Sequence, residues 1–210
     1  MRILSFTIEG VLQSWGEQSS WNLRDSADWP TKSGVIGMIG AAMGLGYEDK
    51  AIGELCEAVE MGVKTKLAYH PQLDDYQTVN YFGGVLANGT RETRNAQKTI
   101  VQHKRYIMDR KFLIALSASK EVLDAIYQAM LDPVWAMHLG RACCPPSRPL
   151  LPVVGEYESL EEALVSIPLY DAETEVIQIE GTEGQRRTDV RIAAERKRYE
   201  ERYVLTKVVD

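Results

Sequence analysis

The sequence lacks the features that mark several large classes of protein. Three of its 210 residues are cysteines, and neither a Cys-x-x-Cys pair nor zinc-ligand spacing accompanies Cys56, Cys143 and Cys144. No apolar run approaches the roughly 18 residues that a membrane-spanning helix needs, and the first residues have no signal-peptide pattern. These absences exclude a disulfide-stapled miniprotein. They predict a cytoplasmic protein with reduced thiols and no metal, cofactor or membrane span.

A nucleotide phosphate loop is missing as well, although residues 29–46 (WPTKSGVIGMIGAAMGLG) contain a Lys-Ser pair and several glycines. In such loops, glycines precede the lysine so that successive backbone N–H groups curl around phosphates. Here Pro30, which has no N–H, lies just before Lys32. The glycines follow the lysine at spacings of three, three and four, which predicts one helix face that packs closely against a neighbour. They are Gly34, Gly37, Gly40 and Gly44.

The net charge of -6 argues against a protein that coats nucleic acid with its whole surface. Acidic residues dominate 47–60 and 156–183, and the second of these segments contains no Lys or Arg. Basic residues are concentrated in 91–111 and 185–202. This segregation predicts one anionic partner on one face, although a solvated basic tail would have the same composition.

The order of periodic segments predicts an α+β fold of the ferredoxin-like, split βαβ type. A strand is followed by two helices, a strand, a long insertion, a buried strand and an amphipathic helix. The strands are predicted at 2–13, 63–71 and 112–119, and the helices at 31–44, 49–61 and 120–133.

The insertion at about 73–106 is too long for an idle connector, so we expect it to project as an arm. The predicted main domain covers 1–150 and includes this arm. A smaller β-rich extension, with a short helix near 159–166, is predicted for 151–210.

Thr31, Lys32 and Ser33 lie at the predicted start of a helix, where free backbone N–H groups attract an anion. We therefore expect these three residues to meet an RNA phosphate.

The loop LQSWGEQSSWNLR offers Gln13, Trp15 and Arg24. An exposed Trp beside amide and guanidinium groups suits base stacking and phosphate contact. A Trp that covers the core is an equally ordinary interpretation.

The segment QHKRY brings together His103, Lys104 and Tyr106. These residue types serve metal-independent ribonucleases, which deprotonate a 2′-OH and protonate a leaving oxygen. Because side chains alternate along a strand, the pattern favours a phosphate-contact patch over a catalytic group.

Three fragments together resemble one family: LQSWG, Arg24 six residues before PTKSGVIGMIGAAMG, and LGRACCPPSRPL. Their order and spacing over residues 1 to about 150 resemble the Cas-five (CasD-type) subunits of CRISPR type I Cascade complexes. The resemblance implies an RRM-like core of the RAMP superfamily, a protruding thumb on the insertion, and no catalytic role. It implies as partners the 5′ repeat-derived handle of the crRNA, the backbone and large subunits and, through the complex, target DNA.

The resemblance and the basic clusters together give the expected RNA-binding residues. They are Gln13, Trp15, Arg24, Thr31, Lys32, Ser33, Arg91, Arg94, Lys98, Lys104, Arg105, Arg141 and Arg148.

Two other functions stay open. In the type I-C branch of the family the equivalent subunit cleaves precursor crRNA, and His103, Lys104 and Tyr106 would then be the catalytic candidates. The similarity is greater to the type I-E branch, in which a separate endoribonuclease cleaves. The third possibility is a structural subunit whose basic clusters contact acidic proteins.

Overall fold

The structure is a computed structural model. It describes residues 1–17, 20, 22–68, 70–81, 84–85, 90–92, 98–170, 174–192 and 198–209. Arg94 lies outside the described residues, and for Arg91 and Lys98 only the backbone is described.

Within this part the chain forms eleven strands and four helices. The elements in chain order are β1 (Arg2–Gln13), β2 (Leu23–Arg24), α1 (Lys32–Ala42), α2 (Lys50–Ala58), β3 (Glu60–Lys66), β4 (Gln72–Tyr81), β5 (Gly84–Val85), β6 (Arg91–Glu92), β7 (Lys98–Ser117), α3 (Lys120–Leu131), β8 (Val153–Glu156), α4 (Leu160–Ser166), β9 (Glu175–Gly181), β10 (Gln185–Arg191) and β11 (Tyr199–Val209).

Each helix begins at a polar residue whose side chain accepts a backbone N–H of the first turn. Thr31 accepts from Gly34, and the same role falls to Asp49, Ser119 and Ser159. The helices predicted at 31–44, 120–133 and 159–166 are thereby confirmed to within a turn.

The architecture is mixed α/β and is dominated by one antiparallel sheet. Seven strands follow each other across it in the order β10, β11, β9, β3, β7, β1, β8. Two further strands pair with β7: β2 runs parallel to it at Leu23 and Arg24, and β4 runs antiparallel.

Strand β7 is 20 residues long and belongs both to the centre of the main sheet and to the arm. Its second half pairs with β1 and β3 in the centre of the sheet, whereas residues 98–106 pair only with β4 and β2. The sequence predicts a strand only at 112–119, because the polar residues before it hide the strand pattern. The insertion at 73–106 falls on this β4–β7 ribbon and on the small β5–β6 sheet.

Helices cover both faces of the sheet. One core, under α1, α2 and α3, includes Phe6, Ile36, Phe112 and Ile114. A smaller core beneath α4 includes Leu164. Strands β9 to β11 continue the main sheet from β3.

A network of buried charges joins the start of α1 to these C-terminal strands. Asp189 accepts the backbone N–H of Lys32 at 2.8 Å and a fork from Arg202 at 2.6 and 2.9 Å. Glu180 accepts from Lys32 Nζ at 2.8 Å and from the Met61 N–H at 3.2 Å. Asp189, Lys32 and Arg202 are all buried. The anion at the N-terminus of α1 is therefore a carboxylate of this chain.

A β-bulge places that carboxylate. The register of β10 against β11 shifts between Thr188, which faces Glu201, and Val190, which faces Glu200, so Asp189 is the extra residue. Burial alone would raise the pKa of Asp189, but the hydrogen bonds and charge of Arg202 lower it below its ordinary value.

Replacing Asp189 by Asn is expected to lower the free energy of unfolding by about 3–5 kcal/mol, because Arg202 loses its buried counter-charge. Urea titration measures the change. The matched control is Glu161→Gln in the half-exposed Glu161–Lys207 pair, where the expected change is at most about 1 kcal/mol.

The same variant has a pH signature. Since the pKa of Asp189 is lowered in the folded state, its contribution is complete above about pH 4 and is lost as pH falls through the folded pKa. The Asn variant should therefore lose stability less steeply below about pH 4. Equal stability and equal pH slopes for wild type and Asp189→Asn would show that the network stabilises nothing.

Candidate nucleic-acid interface

A cleft of ≈ 520 Å³ lies along the exposed face of α1. Ser33 and Gly37 form part of its floor. Three arginines, Arg24, Arg141 and Arg191, are among its lining residues. Two tyrosines, Tyr47 and Tyr199, complete the aromatic part of the lining.

The glycines of α1 divide between packing and the cleft. A Cβ at Gly34 would lie 2.9 Å from the Trp15 ring, and one at Gly40 would lie 3.3 Å from Ile52. These two positions confirm the expected packing face. A Cβ at Gly37 meets nothing within 4 Å, because this residue faces the cleft. Gly44 has φ +75° and ends the helix instead.

Arg141 fastens the β2 segment to the arm. Its guanidinium donates to the carbonyls of Arg24 at 2.7 Å, Asp25 at 3.3 Å and Arg105 at 3.0 Å. The group also lies 4.7 Å from the centre of the Tyr106 ring. These partners are neutral, so Arg141 keeps its positive charge at the edge of the cleft.

Arg191, which also lines the cleft, is held in a similar way. It donates to the Tyr47 carbonyl and lies 4.6 Å from the centre of the Tyr47 ring. Tyr199 lies nearby, and burial followed by the repulsion of Tyr47 raises the pKa of its phenol. The arrangement offers guanidinium groups to phosphates and exposed aromatic rings to bases.

Four of the expected RNA-binding residues are buried in the structure. Trp15 is fully buried, and its Nε1 donates to Gln13 Oε1 at 3.1 Å, while Gln13 donates to the Arg110 carbonyl. Thr31 is buried as the cap of α1, and Lys32 is paired with Glu180. Their side chains are occupied within the protein, and of the four only Thr31 is among the residues that line the cleft. Ser33 and Arg24 line it.

The arm residues of the QHKRY segment point to two sides. His103 Nδ1 lies 3.1 Å from Asp74 Oδ1, and Arg105 lies 3.8 Å from the same carboxylate. Lys104 donates to Gln77 at 2.6 Å on the other face of the ribbon. Tyr106, on the face of Lys104, is buried. The three residues proposed for catalysis therefore do not converge.

The last expected contact, Arg148, is 80% exposed and lies 3.8 Å from Glu9. It is not among the residues that line the cleft.

Comparison with known proteins gives the family. The family model described as "CRISPR-associated protein (Cas_Cas5)" matches residues 3–205. The chain belongs to the CRISPR-associated Cas-five family.

Individual members are similar over most of their length. The "CRISPR system Cascade subunit CasD" of Escherichia coli (strain K12) is 29% identical over 161 residues, which are 70% of this chain and 68% of that protein. A chain of a "CRISPR RNA-guided surveillance complex" is 25% identical with a TM-score of 0.76, covering 98% of this chain and 89% of that one. A "Crystal structure of Cas protein" shares the fold with a TM-score of 0.66 at 24% identity, covering 98% and 94%. The resemblance seen in the sequence is confirmed.

The basic or aromatic lining residues of this Cas-five protein that the sequence prediction missed are Tyr47, Arg191 and Tyr199. Arg191 and Tyr199 belong to the basic, aromatic segment 185–202, which was a signal for nucleic acid. Nothing in the sequence places that segment beside α1, since the two meet only in the folded chain, where Asp189 of β10 accepts the backbone N–H of Lys32. No helix in the described part of the chain is long and apolar enough to cross a membrane.

A reactivity test follows from the thiols beneath Arg141. Cys143 is exposed, and a hydrogen bond with Tyr106, at 3.6 Å, lowers its pKa. Burial raises the pKa of Cys144 to about 12 and also raises that of Cys56. Iodoacetamide near neutral pH should therefore alkylate Cys143 first, as peptide mass spectrometry can measure.

The variant Tyr106→Phe should raise the pKa of Cys143 and slow this reaction near neutral pH. Tyr76→Phe, on the arm, is the matched control and should leave the rate unchanged. Alkylation of all three thiols at one rate in the folded protein would contradict the assigned environments.

Proposed function

We propose that this Cas-five protein is a crRNA-binding subunit of a Cascade complex and holds the 5′ repeat-derived handle in the α1 cleft. The observation that carries the proposal is the open glycine face at Gly37, which lies among arginines and tyrosines. Because glycine has no side chain, a sugar-phosphate backbone can approach the helix closely at this position.

Charge and stacking support the same assignment. Arg141 and Arg191 direct guanidinium groups at the cleft while bonding to neutral carbonyls. Tyr47 and Tyr199 are partly exposed there, and stacking one base on a tyrosine is worth about 1–3 kcal/mol. The cleft thus concentrates positive charge in a chain whose net charge is -6.

The partners that we propose follow from the relatives. The similar proteins are a Cascade subunit and a chain of an RNA-guided surveillance complex. We therefore assign to this chain the other Cascade subunits, crRNA and, through the complex, target DNA, in the cytoplasm of a cell that uses Cascade for antiviral defence. The greater similarity to the type I-E branch is part of this proposal.

The sheet order supports a ferredoxin-like RAMP core. In the chain order β1, α1, β3, β7, α3, β8, the strands lie as β8, β1, β7, β3, with antiparallel neighbours. Numbered within this unit, the strand order is 4-1-3-2, which is that of a βαββαβ ferredoxin-like fold. The insertion between β3 and the inner half of β7 is then the thumb. Residues 151–210 supply β8 to this core and then the extension β9 to β11.

The role that we propose is non-catalytic. Burial raises the pKa of the Tyr106 phenol, which keeps it protonated and therefore unable to accept a proton from a 2′-OH, and His103 lies on the other face of the ribbon. The positively charged side chains of the arm, Lys104 and Arg105, suit phosphate contacts. The proposed contacts at Arg91, Arg94, Lys98 and Arg148 extend this basic surface.

Blocking the cleft tests the main proposal. Gly37→Leu adds a side chain in open space, so the free energy of unfolding should not fall. A complex assembled with this variant should retain crRNA at least about tenfold less well, since the loss of one stacked base alone costs about that factor. Ala125→Leu, at an exposed position of α3, is the matched control.

The measurement is crRNA affinity of the assembled complex by filter binding at several salt concentrations. Normal affinity with Gly37→Leu, in a complex of normal composition, would refute the cleft as the handle site.

The endoribonuclease alternative is tested separately. The purified protein should leave its own repeat RNA intact in EDTA, because the candidate groups do not converge. A single discrete cut that His103→Ala abolishes would establish the alternative and overturn the non-catalytic role.

A further inference from the structure

The α1 cleft continues into a smaller pocket of ≈ 350 Å³. Two residues line only this smaller pocket, Glu17 and Thr188, and we call it the Glu17 pocket. Its volume is at the small end of the range of small-molecule sites, about 300–1,000 Å³. The residues that line both cavities are Gly16, Arg24, Ser33, Tyr47 and Tyr199.

The Glu17 pocket places a carboxylate beside a basic cleft. Arg141 and Arg191 line the cleft but not the pocket, whereas Glu17 lines the pocket but not the cleft. A carboxylate repels the phosphates that guanidinium groups attract. An RNA strand whose backbone follows the arginines must therefore turn a different chemical group toward Glu17.

Strand β10 fixes the Glu17 carboxylate. Its Oε1 accepts from Arg187 Nε at 3.0 Å and from the backbone N–H of Thr188 at 3.3 Å. The side chain of Glu17 is 16% exposed and that of Arg187 is 5% exposed. Two donors on one oxygen of a largely buried side chain hold the carboxylate in one orientation.

The second oxygen of this carboxylate is open to a ligand. No donor among the described residues reaches Glu17 Oε2, whereas Oε1 accepts two hydrogen bonds. Solvent reaches Oε2, which distinguishes it from the buried polar atoms that lack a partner in the described part of the chain. An ionised carboxylate can only accept hydrogen bonds. The group of the RNA that meets Oε2 must therefore be a donor.

Two tyrosines lie where the cleft and the pocket share their lining. Tyr47 is 52% exposed and Tyr199 is 39% exposed. The guanidinium of Arg191 lies 4.6 Å from the centre of the Tyr47 ring. Exposed tyrosine rings stack bases, and a base that stacks through its face keeps the N–H groups of its edge available. A base stacked at this boundary can therefore present its edge to Glu17.

We propose that the Glu17 pocket reads one base of the crRNA 5′ handle and selects a base with an exocyclic amino group, which donates to Glu17 Oε2. The inference rests on the crRNA-binding function proposed above and adds a base preference to it. Adenine, cytosine and guanine carry such an amino group. Uracil carries carbonyl oxygens instead, and a carboxylate repels them.

The ribose 2′-hydroxyl is the other donor that RNA offers. The pocket favours the base, because the ribose stays with the phosphates beside Arg141 and Arg191, and neither of these arginines lines the Glu17 pocket.

The test uses the complex assembled with the full chain and crRNAs that differ by one functional group at one handle position. Cytidine is compared with uridine and adenosine with inosine, because a carbonyl replaces the amino group in each pair. At one position the wild-type complex should bind the amino-bearing crRNA about tenfold more tightly, through a hydrogen bond to a charged acceptor. Equal affinity within both pairs at every handle position overturns the proposal without any variant.

The variant Glu17→Gln should reverse the preference. Its amide oxygen can keep the hydrogen bonds from Arg187 and Thr188, and its Nε2 then offers a donor to the pocket. At the same handle position this complex should bind the carbonyl-bearing crRNA about threefold more tightly. Glu54→Gln, at an exposed position of α2, is the matched control and should keep the wild-type preference.

Two results would contradict the base contact. A loss of affinity with Glu17→Gln that is equal for every crRNA would make Glu17 a structural residue, with Oε2 completing a fork to the buried Arg187 Nη2. The second result is equal affinity within both pairs, together with weaker binding of a 2′-deoxy nucleotide by the wild type but not by Glu17→Gln. It would assign Oε2 to the ribose.

The base preference and the handle site can fail separately. If Gly37→Leu weakens crRNA binding while no handle position shows a preference that depends on Glu17, the α1 cleft remains the handle site and only the base contact is overturned. If Gly37→Leu leaves the affinity normal while the preference reverses with Glu17→Gln, the base contact is supported and the path of the backbone along Gly37 is overturned.

Discussion

The arrangement of the α1 cleft depends on one buried ion pair. Asp189 receives the first backbone N–H of α1 and the guanidinium of Arg202, so it fixes the helix to β10 and β11 at once. Removing either partner would strand a buried charge, which makes the contact costly to break. The carboxylate also fills the anion position that the helix N-terminus offers. An RNA phosphate cannot take that position, so the RNA contact that we propose lies on the side of the helix, where Ser33 and Gly37 line the cleft.

The sequence predicts the elements that depend on local chemistry. Alternation identified β1, the candidate cap Thr31 identified the start of α1, and an amphipathic pattern identified α3. Such signals lie within a few residues of the element that they specify, so neighbouring residues alone reveal them. The long strand β7 was predicted only in part, because its polar outer half is stabilised by pairing with β4 and not by burial of an alternating face.

The site residues could be predicted less well, because their roles depend on partners far away in the sequence. Lys32 has the right type and position for a phosphate contact, yet its charge is neutralised by Glu180, 148 residues further along. Trp15 has the right type for stacking, yet its ring packs against Gly34 and lies in the core. Residue type states what a side chain can bind. Only the tertiary structure shows whether that side chain is still available to bind a ligand.

The bulge at Asp189 also explains why Arg191 is among the residues that line the cleft. Without the extra residue, β10 would continue its regular pairing past Thr188, and the positions after it would exchange faces of the sheet. With it, Asp189 reaches the helix start and Arg191, two residues on, reaches Tyr47 at the cleft. The buried ion pair and the exposed guanidinium are therefore set by the same irregularity. A substitution that straightened β10 would affect the stability of α1 and the charge of the cleft together, which no substitution at Arg191 alone could do.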